Sequence, residues 1–239
     1  TIFVPELLHA TRVDGRQETY RQMYAHLSRK WVEDGCSIHI ITLLAHDREA
    51  IDAFFWMGFG LTNVEAIRDL SPIGGGRASI EIRQASREDA EAITDFNTRL
   101  QRYLATAPTF HSDQDPLVAE SWLANPANSA WLACRDGMPV GCVRIGPSDP
   151  RAARFTGDVK TAYIDHAFVE EGLRNTGIGT ALLSRALDWA RSAGYERCAV
   201  DFESANATAR IFWLKHFQPV CLILLRCVDE RMARHIEER

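Results

Sequence analysis

Val169-Glu-Glu-Gly-Leu-Arg174-Asn-Thr-Gly177-Ile-Gly179-Thr180-Ala-Leu-Leu183 decides how this 239-residue chain is read. The residues before it, Thr161 to Phe168, are β-branched and aromatic enough to predict a strand. Those after it place Ala181, Leu182, Leu183, Leu187, Trp189 and Ala190 at helical spacing. A strand therefore runs into a tight, glycine-bearing turn that opens a helix. Such a turn aims backbone N–H groups and the positive end of the helix dipole at one spot, which suits a phosphate. Gly177 and Gly179 lack a Cβ, so the main chain can approach a ligand closely or take φ > 0. Arg174 adds a forked cation.

Three phosphate-loop patterns compete for the stretch. A dinucleotide loop needs a small third residue after Gly177-x-Gly179, but Leu182 stands there. A nucleoside-triphosphate loop has the spacing of Gly172 to Gly177 but requires lysine where Ile178 lies. The third pattern, Arg/Gln-x-x-Gly-x-Gly/Ala, is met in full by Arg174-Asn-Thr-Gly-Ile-Gly179. In this the stretch resembles the coenzyme A pyrophosphate loop of the GNAT N-acetyltransferase family; an ordinary tight turn is the alternative for the six residues alone. A second segment, Asn206-Ala-Thr-Ala209-Arg-Ile-Phe212-Trp213 followed by Phe217, resembles the last helix of that family.

Working outward, the chain from Ala78 predicts strand, helix, helix, three antiparallel strands, helix, strand, helix, strand, the order of the GNAT fold. Ser86 with Asp89 makes a helix-opening box, Asp136-Gly137 a hairpin turn between Ser129–Arg135 and Met138–Ile145, and Asn206 a helix cap. A second helix is expected over Asp115 to Leu123, a polar loop over Asp149 to Asp158 and a charged helical tail over Asp229 to Arg239. The expected fold class is α/β, a mixed, mostly antiparallel GNAT-type sheet flanked by helices. Ser71-Pro-Ile-Gly-Gly-Gly-Arg77 reads as a linker, so the expected division is 1–70, linker 71–77, and a complete domain 78–239.

The first part predicts a tandem arrangement. It carries helical spacing over Tyr20 to Val32, a strand over Ser37 to Leu44, a helix capped by Asp47 and a strand over Val64 to Leu70. Laying Trp31 on Trp189 puts Arg16 on Arg174, Thr19 on Gly177 and Arg21 on Gly179; a one-residue shift then puts Asp47 on Asn206. Residues 1–70 thus resemble the degenerate second half of the same domain. Its loop would read Arg16-Gln-Glu-Thr-Tyr-Arg21, without glycines and with Glu18 where a phosphate would be repelled. Half a domain leaves sheet edge and helix faces uncovered, so either a missing N-terminal half-domain precedes Thr1 or a partner such as a second copy covers it. The opening on Thr1 rather than Met fits a trimmed start.

Composition narrows the classes. The apolar fraction of 46% is ample for a packed core, and a net charge of −5 disfavours a general binder of nucleic acid or anionic membrane. Six cysteines, none in C-x-x-C pairs, read as buried thiols in a reducing cytoplasm rather than as disulfides or a metal site. No signal peptide is expected, and the longest apolar run, Val220 to Leu225, is too short to span a bilayer.

The resemblance implies acetyl-CoA as co-substrate and an amine attacking its thioester directly, with a backbone N–H polarising the carbonyl. It implies coenzyme contacts at Phe168 and Val169, at Arg174, Asn175, Thr176, Gly177, Ile178, Gly179 and Thr180, and at Asn206. Catalytic candidates for the base are Asp165 and His166, neighbours on one strand that point to opposite faces, and Glu170 at its end. For the acid there is a departure: Trp213 replaces the family's usual tyrosine, and an indole donates an N–H without delivering a proton. Ser204, Cys198, His216 or water are the substitutes. Arg102 to Leu117, with Tyr103, Phe110 and His111, is the expected acceptor region. Two classes stay open, an N-acetyltransferase acting on a primary amine of a small molecule or peptide and a non-catalytic acyl-CoA-binding or sensing module.

Overall fold

The structure is a computed structural model, described over residues 1–74, 80–111, 119–148, 156–229 and 231. In chain order the elements are β1 (Ile2–Val4), α1 (Arg16–Glu33), β2 (Ile38–Leu44), α2 (Arg48–Trp56), β3 (Gly60–Asp69), β4 (Glu81–Gln84), α3 (Ala90–Leu104), α4 (Ala119–Ala124), β5 (Ser129–Arg135), β6 (Met138–Pro147), β7 (Thr161–Val169), α5 (Ile178–Ser192), β8 (Arg197–Glu203), α6 (Ala207–His216) and β9 (Gln218–Cys227). Single 3-10 turns stand at Glu6–Leu8, Arg87–Asp89 and Glu171–Leu173. The order from β4 onward is the one expected, and the mixed, mostly antiparallel α/β class is found. The start of the predicted 115–123 helix, the loop at 149–155, part of the linker and most of the tail lie outside the described residues. Among the described residues no helix is long and apolar enough to cross a membrane.

Local chemistry sets the boundaries. Asp47 Oδ1 and Asn206 Oδ1 accept from the N–H of Ala50 and Ala209, each at 3.1 Å, capping α2 and α6. Ser86 and Asp89 form the reciprocal box ahead of α3. Asp136 and Gly137 both take positive φ, 52° and 79°, as a two-residue hairpin turn demands.

Two compact units result. The first holds Thr1–Glu65, Phe202–Ser204 and Pro219–Arg239; the second holds Ala66–Asp201 and Ala205–Gln218. The division does not follow the 71–77 linker, because β9 pairs along the whole of β2, from Ile38 with Cys227 to Leu44 with Cys221. In the first unit β1 runs parallel to β2 and β2 antiparallel to β9. Its core is aromatic: Tyr20, Tyr24, Phe54 and Phe59 pack with Ile41, Leu43 and Leu224. Arg16 to Arg21, expected as a loop, form the first turns of α1 instead; the residue that caps this helix is Gly15, at φ 69°. In the second unit β4, β5, β6 and β7 form an antiparallel run and β8 adds parallel to β7. α3 covers one face with Ile93 and Phe96, which meet Leu132, Cys142 and Phe168; α5 buries Leu182, Leu183, Ala186 and Leu187. Each fully buried large apolar side chain of this kind contributes roughly 1.5–3 kcal/mol.

Candidate active site

The site is built where β7 leaves its neighbour. β7 pairs with β8 from Thr161–Arg197 to Ile164–Val200. It then continues to Val169, with Ala167, Phe168 and Val169 lining a cleft of about 510 Å³. After the 3-10 turn, Asn175 takes φ 63° and Gly177 takes φ 93°, the left-handed region that glycine enters without cost. Thr176 donates its hydroxyl to the Leu173 carbonyl at 2.7 Å, drawing the turn tight.

Gly177 then caps α5, and no side chain bonds this end of the helix. The N–H of Ala181 reaches the Gly177 carbonyl at 3.0 Å, so those of Ile178, Gly179 and Thr180 precede the first intrahelical bond and are free for a ligand. A Cβ at Gly179 would lie 3.3 Å from the Phe212 ring, so this glycine lets α6 approach the mouth. Arg174 donates Nε to the Val169 carbonyl at 3.2 Å and lies 5.1 Å from the Tyr103 ring. No carboxylate among the described residues pairs with it. The mouth is thus a concentration of positive potential fit for a diphosphate.

Of the coenzyme contacts expected from sequence, Phe168, Val169, Arg174 and Asn175 line the cleft, as do Gly177, Gly179, Thr180 and Asn206. Thr176 is turned to the Leu173 carbonyl and Ile178 is buried under the first turn of α5. Trp213, Thr208 and Lys215 on α6 form the facing wall.

The three catalytic candidates flank the cleft without lining it. Asp165 sits at a register shift: Arg144 pairs with His166 and the next residue, Ile145, with Ile164, so Asp165 is the extra residue of a bulge. Its carboxylate is held in a fork by Arg144, Nε to Oδ1 at 3.2 Å and Nη2 to Oδ2 at 2.7 Å. Burial nonetheless pushes it up to about 6, against the pull of Arg144. His166 is buried, with Nε2 unpartnered. Burial, helped by Arg144, pushes it down to about 3, so its imidazole is neutral. Glu170 pairs with Arg99 at 3.2 Å and keeps about a third of its side chain exposed.

Among the substitutes for the acid, Cys198 is wholly buried and its thiol is pushed up by that burial. Ser204 donates to the Leu61 carbonyl at 2.7 Å, and the His216 ring packs on Phe212 at 5.1 Å. Tyr103 lines the cleft, whereas Phe110 is exposed; residues 112–117 of the expected acceptor region lie outside the described residues. Arg144 escaped the sequence reading, although a lone charge in the apolar run Val140 to Ile145 was a signal for it.

Solved structures share this architecture. A functionally unknown conserved protein from Staphylococcus epidermidis is 14% identical, with a TM-score of 0.50 over 89% of this chain and 81% of that one. A GCN5-related N-acetyltransferase from Kribbella flavida is 15% identical, with a TM-score of 0.50 over 87% of this chain and 72% of that one. No curated protein sequence matches the chain. The acetyltransferase (GNAT) family model matches residues 96–217, just over half of the chain and the part that holds the cleft, the α5 mouth and α6. The chain therefore belongs to the acetyltransferase (GNAT) family.

Proposed function

We propose that the protein transfers the acetyl group of acetyl-CoA to a primary amine of a small molecule or peptide. The observation that supports this above all is the cleft, with an uncapped helix mouth and Arg174 at one end and the β7 edge along its wall. The N–H groups of Ile178, Gly179 and Thr180 would take the diphosphate, and the backbone at Phe168 and Val169 the pantetheine arm. Acetyl-CoA supplies an activated acyl carbon. The amine lone pair forms the C–N bond, the C–S bond breaks with its electron pair on sulfur, and the ammonium proton passes to a base. Glu170 suits that role through water, being the most open of the three candidates; both Asp165 oxygens are engaged, and His166 is walled in. The thiolate then takes a proton from solvent.

One observation favours the second reading, a binding or sensing module. Trp213, 6% exposed, packs edge-on to Phe217 at 5.4 Å where a proton donor would serve the departing thiolate. Thiol release from acetyl-CoA across an amine panel, read beside thermal stability, separates the two. Release above the acceptor-free control with at least one amine supports the transferase. Stabilisation by acetyl-CoA with no release from any amine moves the chain to the second reading, and neither effect overturns both. We further read residues 1–70 as a coenzyme-free partial copy of such a domain.

A further inference from the structure

The geometry points to Arg144 as a positioning residue for acetyl transfer, acting through Asp165 to hold the β7 bulge in the shape that receives the acyl group. This rests on the transferase reading above.

Four observations carry it. The bulge falls where β7 parts from its parallel neighbour: the last rung with β8 is Ile164–Val200, and the extra residue is the next one, Asp165. A bulge re-aims the backbone N–H and C=O groups around it, and β7 enters the cleft lining only two residues later, at Ala167. Arg144 grips the extra residue from the adjacent strand with two parallel bonds, which fix direction as well as distance. The guanidinium is itself immobilised, since its side chain is 3% exposed and it lies 4.9 Å from the Trp122 ring.

The pair is half-buried, Arg144 at 3% and Asp165 at 20% side-chain exposure, and the desolvation of the arginine offsets much of its attraction to the carboxylate. The pair on this bulge leaves Arg144 Nη1 and the neighbouring His166 Nε2 buried and without partners, a further cost. Such a pair makes physical sense where a backbone conformation, rather than stability, is what it fixes. The phosphate end of the coenzyme is held separately, at the α5 mouth, so Arg144 should govern the acyl end and leave affinity nearly untouched.

The test uses acetyl-CoA carrying ¹³C at the carbonyl, read by isotope-edited infrared difference spectroscopy, beside calorimetric affinity and steady-state kinetics. Bound to the wild type, the carbonyl stretch should move to lower frequency than in water. In Arg144→Lys, which keeps the charge and loses the fork, it should return toward the water value. The Kd for acetyl-CoA should stay within about threefold, and kcat should fall by about 100-fold, the size of effect seen when an oxyanion donor is lost. Asp165→Asn, which keeps the shape of the carboxylate and one acceptor, should fall between the two and serves if the lysine variant does not fold. A folded variant of either kind with the wild-type carbonyl frequency overturns the proposal, as does a wild type that binds acetyl-CoA with its carbonyl unshifted. A parallel loss of affinity and melting temperature with no spectral change marks Arg144 as structural only and also overturns it. A wild type that does not bind acetyl-CoA fails at the transferase reading itself.

Discussion

Two helix mouths in this chain are built on the same frame. Each follows a strand and a 3-10 turn, each is capped by a left-handed glycine (Gly15 at φ 69°, Gly177 at φ 93°), and neither has a side-chain cap. In each unit the next helix along the chain is capped by an Asx residue, Asp47 or Asn206. What differs is what fills the space. In the first unit His9 donates Nε2 to the Thr42 carbonyl at 2.9 Å and accepts the Tyr20 hydroxyl at Nδ1, 3.1 Å away. Thr42 lies one residue along β2 beyond the last β1 rung, Val4 with Ile41. Arg16 reaches the Asp47 cap at 2.7 Å, and Glu18 sits in the first turn of the helix. The cavity in the first unit is about 70 Å³ and lies under the later turns of α1, among Tyr20, Tyr24, Trp31 and Phe54, whereas the cleft of about 510 Å³ in the second unit includes the helix mouth itself at Gly177, Gly179 and Thr180. The same backbone frame thus ends in two different openings; side chains either occupy the space or leave it.

The sharpest way to break this comparison is to give the second mouth the defects of the first. Gly177→Glu would strain the left-handed cap by about 1–2 kcal/mol. It would also set a carboxylate against the diphosphate, at about 3 kcal/mol for a unit charge about 5 Å away at an effective dielectric of about 20. The strain lowers stability in the free and bound protein alike, so the charge conflict sets the affinity, and calorimetry should show acetyl-CoA binding weakened about a hundredfold or more. Normal binding by this variant would show that the diphosphate sits elsewhere.

The converse concerns the first mouth, which should remain silent: one acetyl-CoA per chain in the wild type, with a second equivalent breaking the comparison. Acid does not rescue it. Arg21 and then Gln22 hold Glu18 down to about 2, so it remains an anion throughout the range from pH 7 to 4. Its folded-state value is depressed, so whatever stability it lends is present above the unfolded carboxylate range and is lost only as pH falls through about 2. The stoichiometry at pH 5 should equal that at pH 7.

His9→Ala should separate filling from binding. It leaves the Thr42 carbonyl and the Tyr20 hydroxyl without their partner, so chemical denaturation should show a loss of about 1–3 kcal/mol with acetyl-CoA affinity unchanged. The smallest effect belongs to Gly179→Ala, where the added methyl meets the Phe212 ring at 3.3 Å and the ring must give by tenths of an ångström. A Kd raised by about threefold to tenfold, a cost of about 1 kcal/mol, is the expected result. No change would mean that α6 does not press on the mouth.

What the sequence disclosed was mostly local. The glycine-bearing turn, the caps at Asp47, Ser86 and Asn206, and the hairpin at Asp136-Gly137 all depend on residues within a few positions of each other, and each was legible. The misplacement of Arg16 to Arg21 has a simple cause. α1 has 18 residues and α5 has 15, so counting back without a gap from Trp31 carried the loop into the helix. The unforeseen contacts are distant in the chain: Arg144 with Asp165 across 21 residues and Arg99 with Glu170 across 71. They depend on strand register and on a bulge, which spacing does not specify. Adjacency on β7 indicated that Asp165 and His166 face opposite ways, but the arginine that would hold one of them came from another strand.

Cys142 lies beneath the wall of the cleft, and its burial pushes its thiol up to about 12. At any working pH it is therefore protonated, and a protonated sulfur neither attacks disulfides nor is readily oxidised. A coenzyme already oxidised to a disulfide would therefore find no thiolate there to exchange with, and the cysteine beside the cleft would escape capture in a mixed disulfide.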